Sequence, residues 1–465
     1  MRRDAAMSRR DLLRGLGAAA LAGCAPRARA AAPRADRGQE ALAAARAAAA
    51  YLASLEVETE HGLVWRKSAD RADHLTTDLY HGSAGPTLFL LELHRATGDE
   101  AHLDRAVRGG RHLVDEVRRE PSWQRAGLYG GLAGQGVVLR ALAETTGDAA
   151  FRDAAAHTIG ALDAAVFPYV GGGFTYGGVN DVYYGNAGVI AWLVEAGPAF
   201  DDDRALDLAI RLGDGLLALA EETPAGRRWR AYYNADDELP GFSHGTAGVA
   251  FALARLYEVT RHERFLAAAL DGARHVTSLA YTDGDVCLLP HALPDGEDRY
   301  YLGLCHGPVG TWRMFEQLHR VTGDATWAEW RRKAIRGVTT SGVPYTQTPG
   351  FWDNVGQCCG NAAIAEWMLT LHEETGDEAH LAFARELVAD VLARATPAAG
   401  GGLEWIHAEN RIEPYWKQSF TGYMQGASGI GSLLVRVAER EAAEGAGVTG
   451  AWKVRLPDQP LPRPA

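Results

Sequence analysis

Positive charge is in short supply. Lys and Arg number 47 against 59 Asp and Glu, a formal net charge of −12 over 465 residues. So acidic a chain is a poor candidate for binding nucleic acid by neutralising phosphates. Long apolar runs are missing as well: beyond about residue 40 none could span a bilayer. Hydrophobic residues make up 47% of the chain, which excludes disorder and collagen-like structure and is ample for large buried cores. Cysteine is scarce, with Cys24, Cys287, Cys305, Cys358 and Cys359 accounting for all 5. Glycine is the opposite case. Its 54 residues recur along the whole chain, where a flexible linker would gather them in one tract.

Residues 1–30 read as an address. They hold Arg9-Arg10 ahead of Leu12-Leu13, then an uncharged stretch from Gly15 to Gly23. A basic region before a short apolar one is an export signal, and the paired arginines make it the twin-arginine pattern. Leu21-Ala22-Gly23-Cys24 resembles a bacterial lipobox, whose cysteine becomes a lipidated N-terminus; cleavage near Ala28-Arg29-Ala30 is the alternative. The expectation is export by the twin-arginine route to an extracytoplasmic location, with membrane contact only through a lipid at Cys24.

One pattern recurs seven times: His81-Gly82-Ser83-Ala84-Gly85, Gly130-Gly131-Leu132-Ala133-Gly134, Tyr184-Gly185-Asn186-Ala187-Gly188, His244-Gly245-Thr246-Ala247-Gly248, His306-Gly307-Pro308-Val309-Gly310, Cys359-Gly360-Asn361-Ala362-Ala363 and Gln425-Gly426-Ala427-Ser428-Gly429. First glycines are 49 to 66 residues apart, room for two ordinary helices and their loops. Apolar stretches such as Leu88-Phe89-Leu90-Leu91 follow the motif, as in a mostly buried helix. About fifteen residues later comes Thr-Gly-Asp, at Thr97-Gly98-Asp99, Thr146-Gly147-Asp148, Thr322-Gly323-Asp324 and Thr375-Gly376-Asp377. Glycine ends one helix in the left-handed conformation and Asp caps the next. Each unit is therefore a helical hairpin that must stack on its neighbours, giving an all-α chain of fourteen helices. A solenoid and a closed two-layered ring both satisfy the periodicity; the apolar helices after the glycines favour the ring. The expected layout is a signal over 1–30, one repeat domain over 31–440 and a tail over 441–465. The twelve tryptophans, including Trp312, Trp352, Trp405 and Trp416, read mainly as core filling.

The residues before the glycines carry chemistry. Cys305 in repeat five and Cys358 in repeat six are in register, Cys359 follows, and repeat four supplies His244. Thiols at helix starts ionise readily, and three thiolates with an open fourth position suit a catalytic zinc. Cys287 lies outside every motif and reads as a packed, inert thiol.

Across all seven motifs, roughly residues 40 to 440, the chain resembles the lanthionine synthetase C-like family, the lanthipeptide cyclases. The resemblance implies an (α/α)7 double toroid with one Zn2+ ion. Its ligands fall on Cys305, Cys358 and Cys359, the last standing where the family usually has His; His306 is the competing third ligand. It implies His244 as the acid/base and Asp181, four residues before its first glycine, as its partner. Asp78 holds the same offset in repeat one, so a plain helix-start carboxylate is the alternative reading. Tyr301 stands where many members have Arg, with Arg299 two residues earlier. Tyr183, Tyr184 and Tyr423 are further candidates by motif position. The implied reaction adds a Cys thiol of a dehydrated peptide to dehydroalanine or dehydrobutyrine. No region is left for a dehydratase, so a separate one is expected as partner. Other readings are thiol addition to another extracytoplasmic substrate, or a peptide-binding scaffold lipoprotein. A carbohydrate-active α/α toroid would need a carboxylate pair such as Asp181 with Asp353 and would leave the cysteine register unexplained.

Overall fold

The computed structural model describes residues 34–70, 75–232, 235–346, 354–407, 417–442 and 453–459. The signal with Cys24, and Trp352, Asp353 and Trp416, lie outside the described residues. Among the described residues no helix is long and apolar enough to cross a membrane.

Seven helices open at the glycine motifs: α2 (Ala84–Thr97), α4 (Leu132–Thr146), α6 (Asn186–Phe200), α8 (Thr246–Thr260), α10 (Pro308–Thr322), α12 (Asn361–Thr375) and α14 (Ala427–Glu441). Six of them are followed by a companion: α3 (Glu100–Glu116), α5 (Ala149–Ala165), α7 (Asp203–Ala218), α9 (Glu263–Leu279), α11 (Ala325–Thr339) and α13 (Glu378–Ala393). The motif helices are buried on most sides, and α6 buries every residue from Asn186 to Val194. The companions are amphipathic: α7 buries Ala205, Leu208, Ala209, Leu212 and Leu216 at helical spacing, while Asp203, Arg204 and Asp207 face solvent.

The punctuation between partners behaves as its chemistry dictates. Gly98, Gly147, Gly323 and Gly376 all have φ near +70°. Asp148, Asp324 and Asp377 then accept the backbone N–H two residues on, at 2.8–2.9 Å. In repeats three and four, which lack Thr-Gly-Asp, Asp201 and Arg261 take the glycine's place with φ of 54° and 58°.

Among the described residues no companion follows the seventh motif helix. Its partner is α1 (Arg34–Ala53), at the other end of the chain, which packs along α14. Gly38 brings the two backbones together, and Arg37 and Arg385 both pair with Glu441, at 2.9 and 2.6 Å.

Short β-hairpins, which the helical periodicity does not foretell, follow α1, α5, α7 and α13. They pair β1 (Glu56–Thr59) with β2 (Gly62–Trp65), β3 (Phe167–Pro168) with β4 (Phe174–Thr175), β5 (Glu221–Thr223) with β6 (Gly226–Arg228), and β7 (Ala395–Pro397) with β8 (Leu403–His407). A further strand, β9 (Gln418–Ser419), pairs with β8. Each hairpin ends on a buried aromatic residue, Trp65, Tyr176, Trp229 or Trp405. Three of these tie back to a helix carbonyl: Trp229 to Leu216 at 2.7 Å, Trp405 to Val391 at 2.8 Å and Tyr176 to Leu162 at 3.0 Å. Trp312 is core as well.

The described residues fall into two compact units. One is drawn from 1–113, 144–147 and 340–454, the other from 114–143, 148–339 and 455–465. Repeats six, seven and one belong to the first; repeats two to five belong to the second.

Candidate active site

The loop before each motif helix is fixed by its glycines. A Cβ on Gly188 would lie 1.9 Å from the Val182 carbonyl oxygen, and one on Gly310 2.1 Å from that of Leu304. Only glycine lets the helix start so close to the turn before it. The loops are then stitched to one another by backbone hydrogen bonds. In the second unit the Tyr129 N–H donates to the Tyr183 carbonyl (3.0 Å), Val182 to Ser243 (3.1 Å) and Ser243 to Cys305 (2.9 Å). In the first unit Cys358 donates to Met424 (2.8 Å), and Met424 to Tyr80 (3.2 Å). Residues two places before each first glycine therefore stand side by side within each unit.

In the second unit this places His244 against Asp181. The imidazole Nδ1 lies 2.7 Å from Asp181 Oδ2. The other carboxylate oxygen accepts the backbone N–H groups of Tyr184 (2.7 Å) and Gly185 (3.0 Å). Asp181 thus caps a turn and orients a histidine at once. Asp78 repeats only the first job, accepting the His81 N–H at 2.7 Å. With Asp181 buried and committed on both oxygens, it is poorly placed to serve as one of a glycosidase carboxylate pair.

Aromatic rings frame the imidazole. Tyr183 meets it edge-on at 4.8 Å, and Tyr184, half exposed, stacks on it at 6.1 Å. The Tyr183 hydroxyl lies 3.2 Å from Cys305 Sγ. Beyond His244 come His306 (5.9 Å between ring centroids) and then His291 (4.4 Å from His306), with Tyr301 against both. Tyr301, in the place of an expected arginine, is a buried wall of these imidazoles. Arg299 enters through its backbone, whose carbonyl accepts the His291 N–H at 2.8 Å.

The first unit repeats the tyrosine–sulfur contact. Tyr80 donates its hydroxyl to Cys358 Sγ at 3.3 Å, and Cys359 Sγ lies 3.4 Å from Cys358 Sγ. Tyr80, Tyr129 and Tyr183 are in register, two places before their glycines. That register is the sequence signal that marks Tyr80 and Tyr129. His291 lies in the loop before α10, outside any motif, and carries no such signal. Tyr423 is buried, its N–H bonded to the Leu79 carbonyl at 3.3 Å.

Cys305, Cys358 and Cys359 are all buried and, among the described residues, are the one group of three His, Cys, Asp or Glu donors that could hold a metal ion. Three sulfur donors are a chemical fit for zinc. Cys287 is buried elsewhere, and burial pushes its thiol up to about 12, as befits an inert packed residue.

Comparison with known proteins follows the same lines. The family model described as lanthionine synthetase C-like protein matches residues 73–446. No curated protein matches the sequence. Among solved structures, nisin cyclase superposes with a TM-score of 0.57 at 15% identity, covering 77% of this chain and 88% of its own. That likeness shows the fold, the all-α toroid class expected from the repeats. An α-1,6-mannanase from Salegentibacter sp. HEL1_6 is more distant, at a TM-score of 0.46 and 12% identity over 87% of this chain and 98% of its own.

Proposed function

The chain belongs to the lanthionine synthetase C-like family, and from that premise we propose that it is a zinc-dependent cyclase joining a Cys thiol to dehydroalanine or dehydrobutyrine in a peptide. The observation that carries this reading is the Asp181–His244 pair set beside Tyr183, whose hydroxyl reaches the sulfur of Cys305. It gives an oriented acid/base group and a sulfur donor on neighbouring loops.

The proposed ligands are Cys305, Cys358 and Cys359 as thiolates. When bound, zinc supplies positive charge that holds an incoming thiol as thiolate near neutral pH. The chain's own residues do the rest. Tyr80 and Tyr183 offer hydroxyl hydrogens to the cysteine sulfurs, spreading their negative charge. Asp181 holds the Nδ1 side of His244, which leaves Nε2 for proton exchange. The reaction needs one proton moved from sulfur to carbon: the S–C bond forms at the β carbon, and His244 takes the thiol proton or delivers a proton to the α carbon. The half-exposed Tyr184 makes an apolar shelf over the imidazole for a peptide side chain. The dehydrated peptide comes from a separate dehydratase. Export by the twin-arginine route with a lipid at Cys24 remains part of the proposal; Arg9/Arg10→Lys in a fractionation experiment would hold the protein in the cytoplasm.

Reduced, zinc-loaded protein incubated with a dehydrated Cys-containing peptide should lower the count of free peptide thiols at unchanged peptide mass. Wild-type protein should bind one equivalent of zinc, and Cys305→Ala and Cys358→Ala should lose it. No zinc in reduced wild type ends the metal assignment. An unchanged thiol count across several peptides with zinc bound favours a peptide-binding scaffold.

A further inference from the structure

The described part of the C-terminal tail, residues 453–459, is mostly buried. Val454, Leu456, Pro457 and Asp458 are covered, Asp458 completely. In the first unit Lys453 pairs with Glu366 of α12, and the Val454 N–H donates to Glu92 of α2 at 3.0 Å. In the second unit Arg455 pairs with Glu195 of α6. Asp458 Oδ2 accepts the Tyr129 hydroxyl at 2.8 Å and the Arg313 guanidinium of α10 at 2.6 Å. Arg313 also reaches the Asp458 carbonyl at 3.2 Å. A wholly buried carboxylate is tolerated only when it is paired and hydrogen-bonded in this way.

Both partners of Asp458 lead to the candidate site. The Tyr129 ring packs on that of Tyr183 at 4.6 Å, and its N–H holds the Tyr183 carbonyl. Tyr183 in turn touches Cys305 Sγ and the His244 ring. The Arg313 guanidinium lies over the Phe242 ring at 5.4 Å, two residues before His244. This segment lies beyond the residues 73–446 that the family model matches.

We propose that Asp458 is a positioning residue: the C-terminal segment inserts a carboxylate that fixes Tyr129 and Arg313, and through them sets Tyr183 against Cys305 and His244. The chemical purpose of that placement rests on the cyclase reading, but the placement itself is testable without activity. The probe is iodoacetamide alkylation of Cys305 in reduced, metal-free full-length protein, followed by peptide mass mapping, with Cys287 as the inert internal reference. Tyr183→Phe should change the Cys305 rate at least threefold. Asp458→Asn, close in shape but uncharged, and Tyr129→Phe should each change it in the same direction. The Asp458→Asn/Tyr183→Phe double variant should match Tyr183→Phe, because the two act in one chain. An unchanged Cys305 rate in Tyr183→Phe, or in folded Asp458→Asn and Tyr129→Phe, overturns the proposal, as do additive effects in the double variant. If Asp458→Asn does not fold, Tyr129→Phe alone decides. A protein without cyclase activity can still pass this test, and an active cyclase can fail it, so the two readings fall separately.

Discussion

At the scale of single residues, what separates a functional carboxylate from a structural one is its second contact. Asp78 and Asp181 occupy the same offset and both close a turn, but Asp181 spends its other oxygen on His244. Sequence register alone could not tell them apart, because the histidine comes from the next repeat, 63 residues away. Asp181→Asn keeps the acceptor for the turn and removes the charge that fixes the imidazole. It should lower thioether formation by about tenfold or more, and His244→Ala by roughly 10²–10⁴-fold. Asp78→Asn should leave the rate unchanged. Steady-state rates on one dehydrated peptide check all three; equal losses for Asp78 and Asp181 would reduce the pair to turn chemistry.

At the scale of elements, helix starts and ends were legible because they rest on local chemistry. The Thr-Gly-Asp stops and glycine starts each fall within one turn of the helix they bound. The hairpins were not legible: their strands are two to five residues long, too short for a period-two signal, and the buried aromatic that closes each is a tertiary contact. The glycines themselves divide into two kinds. Gly188→Ala drives a methyl into the Val182 carbonyl and should destabilise the protein by about 1–3 kcal/mol. Gly160, inside α5, has open space around it, so Gly160→Ala should stabilise by about 1 kcal/mol. Urea unfolding of the two variants checks the contrast, and equal effects would contradict it.

At the scale of the whole molecule, the repeats were legible but the helix that partners the last motif helix was not. The sequence pattern places a helix pair after each motif, yet α14 takes its partner from the N-terminal end of the chain. Glu441, buried at the end of α14, records that arrangement by holding Arg37 of α1 and Arg385 of α13. Burial alone pushes its carboxyl upward; hydrogen bonds from Arg385 and Arg37 outweigh this and hold it below the usual carboxylate range. A carboxyl lowered by folding contributes stability above its unfolded pKa of about 4, and that stability is lost as pH falls through the folded value. Glu441→Gln should therefore cost roughly 1–3 kcal/mol at pH 7. Its deficit against wild type should shrink below about pH 4, as urea titrations at several pH values would reveal; a deficit constant with pH would mean that packing, not charge, links the termini.

The sequence by itself determined the number of repeats, the two helices in each, the loops that carry chemistry and the register of Cys305, Cys358 and His244. These follow from patterns that repeat, and repetition makes a weak local signal strong. Only the tertiary structure decided which helix completes the seventh pair, which tyrosines touch sulfur, that His291 and Tyr301 wall the imidazoles, and that the final segment is buried with Asp458 on Tyr129 and Arg313. Those are contacts between residues as far as 404 positions apart. No local propensity encodes them; they exist because burying a polar group requires a partner, and only the folded chain supplies one.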